Sequence, residues 1–183
     1  MDYLYHYYEK AIGPFRNLSD LPAEEAAEIL DSIRQTKEVM AGRREAGYME
    51  RRYELEQLAR AMFIAKGGQP VRQVPHYMVV GECEWLSSWY EEGEAVQIHI
   101  SSFNTDTLSF SYGDLFPTFS PKVNDGKEYR GNIYTYKEML QLIHKYGLPQ
   151  VWNKDGALGP ERYIEVQVWD DEALKLTDLK GDE

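Results

Sequence analysis

Cysteine is almost absent from this chain of 183 residues, which contains only Cys83. A single thiol excludes an internal disulfide and is typical of a protein kept in a reducing compartment. Cys83 has no Cys-x-x-Cys partner, and no two histidines stand at His-x-His or His-x-x-x-His spacing. Short spacings of this kind are what local metal sites use. We therefore predict no metal site. We also predict no cofactor, because no phosphate-binding glycine motif is present.

Positive charge is also scarce. Lys and Arg total 20 against 31 Asp and Glu, which gives a formal net charge of −11. Such a surface repels phosphate groups, which argues against a nucleic-acid partner or an anionic membrane. Residues 43–72 depart from this trend, because they carry seven Lys or Arg and four Glu, a local charge of +3. An RNA-directed protein using this patch is a further alternative, and it predicts strongly salt-dependent binding.

Long apolar runs are missing as well. No stretch approaches the roughly 20 apolar residues that a membrane helix needs, so we predict no membrane association. The first residues, Met-Asp-Tyr-Leu-Tyr-His, lack the basic and apolar regions of a secretory signal. We therefore expect a cytoplasmic protein. The composition, 43% hydrophobic and 28% charged, is typical of a folded chain, and the length fits a single domain over residues 1–183.

The chain does contain clear periodicities. Apolar residues at helical spacing predict one helix from Pro22, a second over residues 48–66 and a third opened by a capping box of Thr135 and Glu138. Short apolar or alternating segments predict strands over residues 76–81, 95–101, 107–112 and 162–170. The predicted fold class is α+β, with an N-terminal helical hairpin and one further helix packed on a largely antiparallel sheet. Residues 1–18 are expected to form an aromatic arm, and residues 172–183 a frayed tail.

Polar positions of three predicted strands form the first candidate site. They are Gln97, His99, Ser109, Ser111, Glu165 and Gln167. If the strands are neighbours, His99 and Glu165 would make a catalytic acid/base pair, because a carboxylate holds the imidazole tautomer and moves its pKa toward neutrality. The alternative is the solvated side of an antiparallel sheet, which alternates in the same way. Strand adjacency decides between the two, and it does not follow from chain order.

Two connecting segments supply further candidates for ligand binding. Arg72 and His76 follow the run Lys66-Gly-Gly-Gln-Pro, where glycines would let an anion such as phosphate approach the backbone. The alternative is a helix cap followed by an extended connector. Asp114 comes directly after a predicted strand and could act as a base or a ligand. Its alternative is a structural role in a tight turn.

Three segments together carry a resemblance. They read Lys66-Gly-Gly-Gln-Pro with Pro75-His-Tyr, Tyr112-Gly-Asp-Leu-Phe-Pro-Thr, and Gly159-Pro-Glu-Arg-Tyr-Ile-Glu-Val-Gln-Val-Trp-Asp. In these segments the chain resembles a family of uncharacterised proteins from Gram-positive bacteria, and the resemblance covers most of its length. It implies no activity.

Two functions stay open at this point. The first is an enzyme or binder of a small anionic ligand at the polar sheet face, where Arg72 would orient the anion. No motif identifies a reaction, so enzyme status is undecided. The second is a non-catalytic protein-interaction module that uses exposed aromatic anchors such as Trp85, Trp89 and Trp152. Homodimerisation is a special case of this second function.

Overall fold

The computed structural model describes residues 1–36, 44, 45 and 47–175. The helices are α1 (Ala23–Thr36), α2 (Tyr48–Ala65), α3 (Glu84–Ser87), α4 (Leu115–Thr118), α5 (Tyr136–Tyr146) and α6 (Pro149–Trp152). The strands are β1 (Tyr3–Glu9), β2 (His76–Val80), β3 (Gly93–His99), β4 (Leu108–Ser111) and β5 (Glu165–Val168). Among the described residues, no helix combines the length and the apolar character needed to cross a membrane.

The strands form one antiparallel sheet of five, in the order β3-β1-β2-β5-β4. β1 pairs with β3 along its whole length, from Tyr3 opposite His99 to Glu9 opposite Gly93. β5 lies between β2 and β4, so Gln167 stands between Tyr77 and Ser109. This antiparallel sheet with its packed helices confirms the predicted α+β class.

Helix α5 covers one face of the sheet. The predicted capping box is present, because the Thr135 side chain accepts from the Glu138 N–H and the Glu138 carboxylate accepts from the Thr135 N–H. The helix buries Met139 and Leu142 against apolar strand residues, which include Leu4, Met78, Val80, Ile98, Leu108, Phe110, Val166 and Val168. Each such side chain contributes about 1.5–3 kcal/mol when it leaves water. This layer is the main core.

Helix α2 covers the opposite face at the β4–β5 end of the sheet. Its buried residues Leu55, Ala59 and Phe63 form one cluster with Leu115 of α4, Ile133 and Trp169, which directly follows β5. Helix α1 packs on α2 through Ala26, Leu30 and Met49, which gives the predicted hairpin. The β4–β5 end is therefore buried on both faces, because α5 lies on one side and α2 on the other.

Both ends of the described chain differ from the prediction. Residues 3–9, predicted as part of an arm, form strand β1 inside the sheet. Aromatic residues occupy both faces of β1, so the apolar–polar alternation that identifies a strand is missing from its sequence. At the other end, Ala173 and Leu174 are buried in the core, so no frayed tail begins at residue 172. The rest of the predicted tail, from residue 176 on, lies outside the described residues.

Candidate functional site

Four of the six predicted sheet-face residues lie together, but they are buried. Ser109 stands opposite Gln167, and Ser111 stands opposite Glu165. Ser109 Oγ donates to Gln167 Oε1 at 2.8 Å, and Gln167 Nε2 donates to Ser111 Oγ at 3.3 Å and to Glu165 Oε1 at 3.0 Å. Trp169 Nε1 donates to Ser109 Oγ at 2.8 Å. The polar face at this end is thus a hydrogen-bonded network enclosed under α2 and α4.

The carboxyl group of Glu165 is the most perturbed member of this network. Burial raises its pKa well above the usual value, and the nearby negative charge of Asp114 raises it further. The hydrogen bond from Gln167 acts in the opposite direction and is outweighed. Asp114 caps α4 by accepting from the Phe116 N–H at 2.7 Å, and it also accepts from the Tyr163 hydroxyl at 2.9 Å. Asp114 therefore has the structural role of a helix cap.

The predicted pairing of His99 with Glu165 is wrong. His99 ends β3 at the edge of the sheet, and β1 and β2 separate β3 from β5. Three inter-strand spacings of about 4.8 Å put roughly 14 Å between the two strands. His99 is exposed, and its Nδ1 lies 2.7 Å from Ser101 Oγ. Gln97 is exposed on the same edge strand, so neither residue joins the buried network.

Arg72 and His76 lie together as predicted, but carboxylates already occupy them. Arg72 Nη1 is 2.6 Å from Asp171 Oδ1, and Nη2 contacts Asp20. His76 Nε2 lies 3.1 Å from the same Asp171 oxygen. Burial lowers the pKa of His76, and the charge of Arg72 lowers it further. An external anion would have to displace these partners, because carboxylates of the fold already neutralise the positive charge of Arg72.

The arginines of α2 are similarly engaged. Glu56, whose side chain is fully buried, accepts from Arg52 Nε at 2.9 Å, from Tyr77 Oη at 2.8 Å and from Ser19 Oγ at 2.7 Å. Arg60 donates to the backbone carbonyls of Arg72 at 3.1 Å and of Pro70 at 3.3 Å. Arg43 of the predicted basic patch lies outside the described residues.

The tryptophans predicted as exposed anchors are half-buried. Trp85 and Trp89 meet edge to face, with ring centroids 5.0 Å apart, and the Arg162 guanidinium lies 4.2 Å from the centroid of Trp85. Trp152 donates from Nε1 to the Tyr112 hydroxyl at 3.3 Å. These side chains are largely committed to packing within the fold.

Another group of residues, which the sequence did not predict as a site, lies on the same sheet face as the buried polar network, at the β1–β3 half of the sheet. An open cleft of about 590 Å³ separates β1 and β3 from the segment of residues 82–91. Its wall comprises Tyr5, Tyr7, Glu82, Glu84, Ser87, Ser88, Tyr90, Glu91, Gly93, Glu94 and Ala95, which we call the tyrosine–glutamate cleft. Two sequence signals could have indicated it: tyrosines at every second position from Tyr3, and five glutamates within residues 82–94.

The tyrosines of the cleft are held by the fold. The rings of Tyr5 and Tyr7 stack, with centroids 6.3 Å apart. Tyr7 Oη accepts from the Cys83 N–H at 2.7 Å, and Tyr90 Oη donates to the Tyr7 carbonyl at 2.9 Å. Burial raises the pKa of Tyr7 to about 12, so the phenol is neutral at physiological pH. Burial and the charge of Glu82 raise the pKa of Tyr5.

The carboxylates of the cleft differ in their partners. Glu94 borders the cleft, but its carboxylate lies on the opposite face of the sheet, where it accepts from Tyr8 Oη at 3.1 Å and pairs with Lys10 at 2.9 Å. Glu84 lies 3.4 Å from the exposed Lys154. In the part of the chain that the structure describes, Glu82 and Glu91 have no ion-pair partner. Two negative charges of the cleft are therefore uncompensated by the protein itself.

No set of three or more His, Cys, Asp or Glu side chains with metal-binding geometry occurs among residues 1–36, 44, 45 and 47–175. Comparison with known proteins gives no further guidance, because no family model, curated protein or solved structure matches the chain. The resemblance to uncharacterised Gram-positive proteins therefore stays a prediction.

Proposed function

We propose that this protein binds an organic cation, an amine or a guanidinium group, in the tyrosine–glutamate cleft. One observation carries the proposal. Of the 11 residues that line the cleft, three are tyrosines, four are glutamates and none is basic, and three of the glutamates, Glu82, Glu84 and Glu91, can direct their carboxylates to it. This combination matches a positively charged group on an organic stem.

Two attractions support binding of such a cation. The face of an aromatic ring attracts a cation by about 0.5–1 kcal/mol at an exposed site. Glu82 and Glu91 add charge attraction, since no basic side chain among the described residues neutralises them. Guanidinium and alkylammonium groups suit an aromatic wall better than a small metal ion does, because the guanidinium is weakly hydrated and the stem is apolar.

The ligand charge in this proposal is opposite to the one that the sequence suggested. Arg72 is held by two carboxylates, and the polar residues of β4 and β5 lie under α2, so the support for an anion at those positions is weak. The proposed function is still the binding of a small ligand, and the proposed site is the tyrosine–glutamate cleft. We propose binding only, because Tyr7 is neutral and the cleft carboxylates are exposed, which offers no activated acid, base or nucleophile.

The test uses Nα-acetylargininamide, with neutral Nα-acetylcitrullinamide as the matched ligand of nearly the same shape. We expect the arginine compound to shift amide NMR signals of cleft residues such as Gly93 and Ala95 with a Kd on the order of 1 mM at low salt. The citrulline compound should cause no saturable shifts. Equal binding of the two compounds would contradict the proposal.

Protein variants identify the side chains that bind the cation. The double change Glu82→Gln and Glu91→Gln should weaken binding roughly three- to tenfold, whereas Glu92→Gln, exposed and outside the cleft wall, should have no effect. Tyr5→Phe keeps the aromatic face and should retain binding, whereas Tyr5→Leu should weaken it about two- to fivefold. If the glutamine double variant binds as tightly as wild type, the carboxylates do not select the ligand.

A further inference from the structure

We propose, resting on the proposed function, that the cation bound in the tyrosine–glutamate cleft is a Lys or Arg side chain of an extended peptide that adds as a strand to the free edge of β3. This names the partner as a basic segment of another protein.

The hydrogen-bonding register shows which backbone groups of β3 are free. β3 ends the sheet and pairs only with β1. Ile100 N–H donates to the Asp2 carbonyl at 2.8 Å, and Lys10 N–H donates to the Glu92 carbonyl at 3.0 Å. Hydrogen-bonded pairs alternate along an antiparallel ladder, so the residues of β3 at positions 94, 96 and 98 point their backbone groups at β1. Ala95, Gln97 and His99 therefore direct theirs away from the sheet.

This edge carries one charged side chain, Glu94, but few of the features that usually block strand addition. β3 contains no Lys and no Pro, and Ala95, Gln97 and His99 are all exposed. The opposite edge is different. Phe110 on β4 exchanges two backbone hydrogen bonds with Tyr134, at 2.9 and 2.8 Å, so the neighbouring chain covers that edge. Among the residues that the structure describes, the free backbone groups of the sheet are concentrated on β3.

The edge and the cleft meet at Ala95. Ala95 pairs with Tyr7 and Gln97 pairs with Tyr5, so their side chains lie on the sheet face that carries the cleft. A strand added about 4.8 Å beyond β3 would place every second side chain on this same face, beside the mouth of the cleft. The long stem of Lys or Arg can cross that distance and put its charge near Tyr7, Glu82 and Glu91.

The negative charge of the protein favours a basic peptide over a second copy of this chain as the strand added to β3. A second copy of this chain would also carry a net charge of −11, so two strongly acidic molecules would meet at the shared edge. A basic extended peptide brings opposite charge to the cleft and backbone partners to the edge. Strand addition of this kind gives affinity through main-chain bonds and specificity through alternate side chains.

The experiment compares a six-residue peptide of alternating arginine and valine, acetylated and amidated, with Nα-acetylargininamide. We expect the peptide to bind at least about tenfold more tightly, since two linked contacts act together. Two further peptides are N-methylated, one on the odd-numbered residues and the other on the even-numbered residues. They measure what the backbone hydrogen bonds to β3 contribute to binding, without any change to the protein. One of them should fall to the level of Nα-acetylargininamide, because its methyl groups face β3.

A protein variant provides the reciprocal test. Gln97→Pro removes an outward N–H and no bond to β1, and proline is tolerated on an edge strand when its missing N–H faces solvent. This variant should lose the tenfold advantage of the peptide but bind Nα-acetylargininamide as wild type does, because Gln97 does not line the cleft. Gln97→Ala keeps the N–H and should retain both affinities.

The outcomes separate this inference from the proposed function. If Nα-acetylargininamide binds in the cleft but the peptide gains nothing, or both N-methylated peptides bind like the parent, strand addition is refuted and the cation site stands. If neither compound binds, both proposals fall. A peptide in which citrulline replaces arginine and which binds equally well would also overturn the basic-partner inference.

Discussion

The replacement Glu165→Gln tests whether the carboxyl group of Glu165 carries a proton in the folded protein. Burial and the charge of Asp114 raise its pKa well above the usual value of 4.5. A group whose pKa is raised by folding stabilises the native state fully below its unfolded pKa. That contribution is lost as the pH rises toward the folded pKa, because the native state binds the proton that the unfolded chain has released. Stability should therefore fall with rising pH from about pH 4.5 upward.

The magnitude follows from proton linkage. One group contributes about 1.4 kcal/mol per pH unit between its two pKa values. Inside this window, wild type should lose stability relative to Glu165→Gln as the pH rises, because only wild type releases a proton on unfolding. The glutamine amide does not titrate, and its oxygen can still accept from Gln167 Nε2, as Glu165 Oε1 does at 3.0 Å. The stability of the variant relative to wild type should therefore increase as the pH rises.

Urea denaturation at about pH 5.5 and about pH 7.5 measures the difference. The exposed Glu28 on α1 provides the matched control, and Glu28→Gln should leave the pH dependence unchanged. Asp114→Asn keeps a good helix cap and removes one cause of the raised pKa, so it should reduce the pH dependence of wild type. If wild type and Glu165→Gln keep a constant stability difference between the two pH values, Glu165 does not hold a proton and the reasoning is wrong.

Two further predictions concern buried charge. Burial lowers the pKa of His6 to about 4, while its Nδ1 donates to the Tyr77 carbonyl at 2.8 Å and its Nε2 accepts from the Phe15 N–H at 2.9 Å. An NMR titration of His6 should give a midpoint near 4, and a midpoint near 6.5 would contradict this prediction. About 3 kcal/mol of stability should be lost as the pH falls from 6.5 to about 4. Arg52→Ala should cost about 3–5 kcal/mol in urea denaturation, because it leaves the buried Glu56 carboxylate without its cation. Combining Arg52→Met with Glu56→Leu should restore most of that loss, and no recovery would mean that packing, rather than the ion pair, is responsible.

Local sequence signals predicted the elements whose causes are local. The third helix was predicted from the capping box of Thr135 and Glu138, and both of its hydrogen bonds are present. The strand over residues 162–170 was predicted from alternation, and the apolar side of β5, Val166 and Val168, is fully buried. Strand β1 was missed because its tyrosines serve both faces and hide the alternation.

The candidate site was predicted only in part, because it depended on strand order. Ser109, Ser111, Glu165 and Gln167 do converge, since β4 and β5 are neighbours. His99 does not join them, because β1 and β2 lie between its strand and β5. A strand can pair with any other strand that reaches it, and chain order gives only a weak preference among the possible pairings.

The sequence by itself determined the fold class, the third helix, the apolar cores of the strands and the strongly acidic character, because each follows from short-range pattern or from composition. Only the tertiary structure decided which polar groups are accessible. It enclosed the serines of β4 with Glu165 and Gln167 beneath α2, where water is excluded. It also brought the tyrosines of β1 beside the glutamates of residues 82–94, about 80 residues away along the chain, into one open cleft. Burial and long-range proximity are properties of the packed chain, and no local pattern encodes them.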